Sequence, residues 1–127
     1  RGVIYDINSK QSKKLFNSPE IRNYISKNYS KLVNNKQNST ADIEFTYNKI
    51  PTDNYLGIQH CKLYNPYITS DGYFNATIVD YFDFEHRKPK SYKSLITSFV
   101  NNWGYSMQEK GLLENQFNIY QIKEKVW

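Results

Sequence analysis

The sequence predicts an α+β domain with a small, mainly antiparallel sheet of about four strands. Apolar residues recur at helical spacing in two stretches, one after Ser18 and one after Ser91, and segments of alternating character lie between and after them. The resulting order of helix, three strands, helix and strand is typical of an α+β domain. The 127 residues suit one domain, and 17% aromatic residues are far more than a disordered chain carries.

The first predicted element is an amphipathic helix of about 16 residues that begins after Ser18. Ser18 is a suitable N-cap, Pro19 suits the first helical position, and Glu20 complements the positive end of a helix. Residues 1–17, in front of it, are polar with scattered apolar positions, and we interpret them as an arm or linker. The apolar stripe of the helix consists of Ile21, Tyr24, Ile25, Leu32 and Val33.

Three strands are expected next. Residues 41–50 alternate apolar and polar side chains, which indicates a half-buried strand. Residues 58–69 and 73–84 are predicted to pair as a hairpin, because Ser70-Asp71-Gly72 between them is a turn sequence.

A second helix is predicted between Ser91 and Gly111, since Pro89 ends the preceding strand and apolar spacing turns helical again. Residues 115–126 then form the last strand. Residues 18–127 are therefore expected to fold as a single domain.

The formal net charge of +5 is unevenly placed, with +6 on residues 1–40 and −1 on residues 41–127. The basic face of the first helix is either simply solvated or steers the protein to phosphates, anionic lipid or an acidic partner.

The single cysteine, Cys61, excludes an internal disulfide. No apolar run approaches the roughly 18 residues of a membrane span, and no signal peptide is visible. The start at Arg1 rather than Met suggests a fragment of a longer protein.

The candidate site is residues 80–87, which read DYFDFEHR. In a regular strand Asp80 shares a face with the apolar residues Phe74, Ala76 and Ile78. A carboxylate there must be paired, bound to metal or placed at an opening of the core, because burying it alone is costly. Asp83 points to the opposite face unless the strand ends, bends or bulges near Phe82.

These residue types fit the attack of water on a phosphoryl centre. Asp80 and Asp83 are candidates to hold a divalent cation or to activate water, and His86 to transfer protons near neutral pH. Arg87 suits the binding of a phosphate by two hydrogen bonds. Lys88, Lys90 and Tyr81 are the candidate substrate-binding residues.

A purely structural interpretation is also open, in which the window is a solvated corner between a strand and a helix. An Asp-x-x-Asp pattern with a nearby His-Arg pair is not specific.

His60 and Cys61 are interpreted as packing residues of a strand rather than as a metal or thiol site. The sequence contains no Gly-rich phosphate loop, CxxC, HExxH or GxSxG motif.

The window resembles the active segment of colicin M-like bacteriocins, in which an Asp-x-Tyr-Asp-Phe core is followed by His-Arg. Asp80, Asp83 and Phe84 match the core, and His86-Arg87 match the pair. The motif covers about eight residues, while the order of elements is similar over roughly residues 19–126. Phe82 replaces the tyrosine of the family, and His86 follows Asp83 sooner than the family pattern has it.

This resemblance implies a secreted or delivered antibacterial toxin domain that acts at the periplasmic side of the inner membrane. The family hydrolyses the lipid–pyrophosphate linkage of a peptidoglycan precursor, lipid II. The resemblance implies Asp80, Asp83, His86 and Arg87 as catalytic residues, with a divalent cation held by the two aspartates; Mg²⁺ is the expected ion. It also implies a membrane surface and a cognate immunity protein as partners.

Three other functions stay open at the level of the sequence. A membrane-depolarising toxin fits the aromatic second helix and the basic first one. A nuclease toxin would use the same Asp, His and Arg residues, but no nucleic-acid partner is expected because the charge around the window is nearly balanced. A plain binding domain would leave the window structural.

Overall fold

A computed structural model describes residues 3–34, 39–44, 60–81 and 117–127 of the chain. These residues form β1 (Ile4–Tyr5), α1 (Lys10–Phe16), α2 (Pro19–Val33), β2 (Thr40–Glu44), β3 (His60–Ile68), β4 (Tyr73–Tyr81) and β5 (Phe117–Lys125). The predicted α+β class is confirmed. Within these ranges, neither helix is long and apolar enough to cross a membrane.

The described strands form one sheet in the order β1-β5-β4-β3-β2. The pairs β2–β3, β3–β4 and β4–β5 are antiparallel, which includes the predicted hairpin, while β1 lies parallel to β5. Within the described residues the sheet is therefore mixed and has five strands, where about four in a mainly antiparallel sheet were expected. The predicted helix over residues 91–111 lies outside the described residues.

The expected arm over residues 1–17 is corrected by the structure for residues 4–16. Ile4 and Tyr5 pair with Ile119 and Tyr120 at the edge of the sheet. Helix α1 begins at the Ser9 cap, whose Oγ accepts a hydrogen bond from the backbone N–H of Ser12 at 3.0 Å. The sequence pattern is too short to reveal either element, because β1 has two residues and α1 only seven.

Ser18 links the two helices. Its hydroxyl donates to the carbonyl oxygen of Leu15 at 2.6 Å and accepts from the backbone N–H of Ile21 at 3.3 Å. One buried side chain thus satisfies a backbone group at the end of α1 and another at the start of α2. The predicted N-cap and first-position proline of α2 are confirmed.

The core lies between the two helices and the inner face of the sheet, which is the face they cover. Along β4 the inner-face residues alternate with those of the outer face, so Phe74, Ala76 and Ile78 are buried in the core. Of the predicted stripe of α2, Ile21, Ile25 and Leu32 are buried and Tyr24 packs against them, whereas Val33 is exposed. The other buried members of the core are Leu15, Phe16, Cys61, Leu63, Ile68, Tyr120 and Ile122.

A bulge in β3 keeps its apolar residues on the inner face. Tyr64 pairs with Thr77 and Tyr67 with Asn75, so Asn65 and Pro66 together oppose a single residue of β4. Asn65 adopts the left-handed backbone conformation, with a φ of 53°, a region that asparagine tolerates better than most residues. The extra residue reverses the alternation, and both Leu63 and Ile68 are therefore buried although five positions separate them.

We expect Leu15→Ala in α1 to lower the free energy of unfolding by about 2–5 kcal/mol, the usual cost of removing a buried leucine side chain. Leu15 is 1% exposed. The measurement is urea unfolding followed by circular dichroism. Lys10→Ala, in the exposed first position of the same helix, should change the free energy by less than about 0.5 kcal/mol. Equal, small effects of both substitutions would mean that this segment is the loose arm that the sequence suggested.

Candidate functional site

Asp80 lies on the inner face of β4, the central strand of the sheet. It shares this face with Phe74, Ala76 and Ile78, as the strand alternation predicts, and it is 2% exposed. Its Oδ2 atom is buried and has no hydrogen-bond partner within the described residues. An unpaired buried carboxylate oxygen destabilises a fold, since it loses its contacts with water without replacing them.

The neighbours of Asp80 come from both adjacent strands. Cys61 lies directly opposite it on β3, and Asn118 lies directly opposite it on β5. Both side chains are buried. Tyr120, two residues beyond Asn118 on the same face of β5, completes the group, which we call the inner polar cluster: Cys61, Asp80, Asn118 and Tyr120.

Strand β1 supports the β5 side of this cluster. The side-chain oxygen of Asn118 accepts a hydrogen bond from the backbone N–H of Val3 at 3.1 Å. The ring of Tyr5 stacks on Tyr120, with centroids 4.9 Å apart and an angle of 10° between the planes. The N-terminal segment therefore helps to fix the position of two cluster residues.

Burial dominates the electrostatics of the inner polar cluster. It raises the pKa of Asp80 to about 7, because removal from water disfavours the charged carboxylate. The pKa of the Cys61 thiol is raised well above its usual value by burial and, to a lesser extent, by the nearby Asp80. The pKa of Tyr120 is raised by the same two causes in the same order. Near neutral pH the thiol and the phenol therefore keep their protons, while Asp80 can gain or lose one.

Of the other predicted site residues, Tyr81 alone falls within the described residues. Tyr81 is the last residue of β4, and its backbone pairs with Phe117. Asp83, His86 and Arg87 lie outside the described residues, as do Lys88 and Lys90. The structure thus places Asp80 within the fold, and the convergence of Asp80, Asp83, His86 and Arg87 stays a prediction.

The donor set for a divalent cation is incomplete in the part of the chain that the structure describes. Asp80 offers a hard oxygen atom without a partner, which fits Mg²⁺ as one ligand. Across the described ranges, no three His, Cys, Asp or Glu side chains are grouped so as to hold a metal ion. The second predicted ligand, Asp83, is outside those ranges. Cys61 is a buried free cysteine that packs in the core, in line with its interpretation as a packing residue.

Sequence reasoning missed Asn118 and Tyr120 as neighbours of Asp80. It predicted the strand that carries them, but not which of its residues face Asp80. Strands β4 and β5 are separated by 35 residues of chain, so no turn sequence fixes their register. The available signal was a polar residue, Asn118, on the same strand face as Tyr120 and Ile122.

Comparisons with known proteins give no relative: no family model, curated protein or solved structure matches the chain. The case for a function therefore depends on the residues themselves and on the similarity of the short motif.

The free energy of unfolding should depend on the ionisation of Asp80. The unfolded chain releases this proton near pH 3.8, whereas the folded protein keeps it up to about pH 7. The contribution of this group to the free energy of unfolding is therefore fully present below about pH 4, and it is lost as the pH rises to about 7. Asp80→Asn removes this loss and should be more stable than the wild type at pH 8, by on the order of 4 kcal/mol.

The measurement is urea unfolding of both proteins between pH 4 and pH 8 in the presence of EDTA. Asp42→Asn, which makes the same chemical change at a side chain that is 86% exposed, is the matched control. A less stable Asp80→Asn protein at pH 8 would mean that the carboxylate has a cationic partner in the folded protein.

Proposed function

We propose that this chain is an antibacterial toxin domain that hydrolyses the lipid–pyrophosphate linkage of a peptidoglycan precursor. The observation that carries the proposal is the buried, unpartnered carboxylate oxygen of Asp80, placed two residues before the segment that contains Asp83, His86 and Arg87. The chain would act at the periplasmic side of the inner membrane after secretion or delivery into a target cell.

The energetic cost of Asp80 supports a functional role. An alanine or a valine at this position would continue the apolar face of β4, and the neighbours Cys61 and Asn118 bring no positive charge to offset a carboxylate. Residues that weaken a fold without an evident structural return tend to belong to functional sites. Among the described residues, Asp80 is such a position in the middle of the sheet.

In the proposed reaction, a water oxygen bonds to the phosphorus atom next to the lipid. The bond between that phosphorus and the lipid oxygen breaks, and the lipid leaves as an alcohol after it takes up a proton. His86 or an aspartate accepts the proton of the attacking water, and His86 can return a proton to the leaving oxygen. Arg87 balances the charge that develops on the phosphoryl oxygens.

Asp80 would contribute from inside the fold. Its unpaired oxygen is available to accept a hydrogen bond from the adjoining segment or to bind a cation. With Asp83 it would hold a divalent cation such as Mg²⁺, which supplies positive charge to the phosphoryl group when bound. Tyr81, Lys88 and Lys90 are proposed to bind the pyrophosphate. A cognate immunity protein would protect the producing cell.

The experiment is incubation of the purified chain with detergent-solubilised lipid II and Mg²⁺, followed by chromatography. The wild type should release the pyrophosphoryl disaccharide-peptide. Asp83→Ala should lower the rate by at least about 100-fold, because it removes a group that binds the cation or accepts a proton. Asp42→Asn, on the exposed edge strand β2, is the matched control and should retain the wild-type rate.

If lipid II stays intact with a folded wild-type protein while a positive control is active, the chain does not have this activity. Two parallel assays then separate the alternatives. Early loss of membrane potential in treated cells would favour a depolarising toxin, and cleavage of tRNA or DNA by the purified chain would favour a nuclease.

A further inference from the structure

Strand β1 is attached to β5 through the backbone of Val3 and the ring of Tyr5. The backbone N–H of Val3 donates to the side-chain oxygen of Asn118 at 3.1 Å, and its carbonyl oxygen accepts from the backbone N–H of Ile119 at 2.9 Å. Two residues further along, the ring of Tyr5 stacks on Tyr120. Val3 is 44% exposed, so its attachment depends mainly on its backbone groups.

The bond from Val3 fixes the orientation of the Asn118 side chain. A backbone N–H can only donate, so the atom of Asn118 that it meets must be the carbonyl oxygen and not the amino group. The oxygen and the nitrogen of an amide lie on opposite sides of the carbon atom that joins them. The amino group of Asn118 therefore faces away from Val3.

The amino group of Asn118 acts on Tyr120, two residues along β5. Burial and the nearby Asp80 raise the pKa of the Tyr120 phenol, and a hydrogen bond with Asn118 acts in the opposite direction. A hydrogen bond lowers the pKa of a phenol when the phenol oxygen accepts it, because the bond then favours the charged form. The oxygen of Tyr120 is thus an acceptor for Asn118, and the phenol remains a donor through its own proton.

These donor groups lie beside a carboxylate. Asp80 is directly opposite Asn118 in the register, and its Oδ2 atom has no hydrogen-bond partner within the described residues. With the amide oriented by Val3, Asn118 and Tyr120 bring N–H and O–H groups to the corner of the inner face that contains Asp80. A reversed amide would bring its carbonyl oxygen there instead, and that oxygen would repel the ionised carboxylate.

We propose that β1 is a positioning element of the candidate site, which orients the Asn118 amide so that the inner polar cluster presents donors to Asp80. Val3 and Tyr5 are positioning residues, since they act on Asp80 through Asn118 and Tyr120. A carboxylate that faces donors keeps its charge at a lower cost, and both cation binding and proton acceptance require that charge. The consequence for hydrolysis rests on the proposed function, whereas the orientation of Asn118 does not.

The first experiment does not depend on any activity. It measures hydrogen exchange at the side-chain amide of Asn118 by NMR in the 127-residue chain, with the signals assigned by their absence in Asn118→Leu. Val3→Pro removes the donor and should speed this exchange at least about tenfold, which corresponds to the loss of one hydrogen bond. Val3→Ala keeps the N–H and is the matched control, and its exchange should stay within about twofold of the wild type.

Tyr5→Leu provides a second route to the same result, because Val3→Pro also restricts the backbone. The leucine keeps an apolar side chain on β1 but removes the stack on Tyr120, and it should speed the exchange of Asn118 about threefold. Circular dichroism checks that each variant is folded. Unchanged exchange at Asn118 in the folded variants would overturn the proposal.

The second experiment measures the hydrolysis of lipid II by the same proteins. Val3→Pro should lower kcat about tenfold with little change in KM, because it disturbs the surroundings of Asp80 and not a contact with substrate. In the Asn118→Leu background the same substitution should lower kcat by less than about twofold, since both changes act through one side chain. Full additivity, or a wild-type kcat in Val3→Pro, would contradict positioning through Asn118. An inactive wild type would remove the proposed hydrolysis, while the exchange data still decide whether β1 orients Asn118.

Discussion

Strand β4 determines most of this structure, because its two edges pair with β3 and β5 and its inner-face residues belong to the same core as those of both helices. Burial of one apolar face fixes the register of a strand, since a shift by one residue would turn every core side chain outward. The bulge in β3 and the double role of Ser18 both serve this packing. The first keeps Leu63 and Ile68 on the inner face, and the second sets how α2 follows α1.

Asp80 is the exception to this packing, and it becomes informative for that reason. The same strand that buries Phe74 and Ile78 buries a carboxylate and leaves one of its oxygens without a partner among the described residues. Its neighbours Cys61, Asn118 and Tyr120 add further polar groups to one corner of the inner face. A hydrophobic core would be more stable without them, so the chemical role proposed for this corner would work against the stability of the fold.

Local sequence patterns predicted helix α2 and the hairpin of β3 and β4. The cap, proline and apolar spacing of α2 and the turn sequence of the hairpin were sufficient to find those elements, and strand alternation placed Asp80 on the apolar face. Strand β1 and helix α1 are too short for a periodic signal. The parallel pairing of β1 depends on its contact with β5, which is distant in the sequence. The neighbours of Asp80 on β5 were missed for the same reason, since register between distant strands is decided by packing.

The pairing of β1 with β5 also has a consequence for how the protein reaches its folded state. Val3 and Asn118 are 115 positions apart and share a hydrogen bond, so the two ends of the chain meet in neighbouring strands. Contacts of such long range are formed late and slow the folding of a domain. A chain that emerges from a ribosome or a narrow pore with its N-terminus first cannot complete this sheet until residues 117–125 have followed. During that interval α1 lacks β5, the strand it lies against.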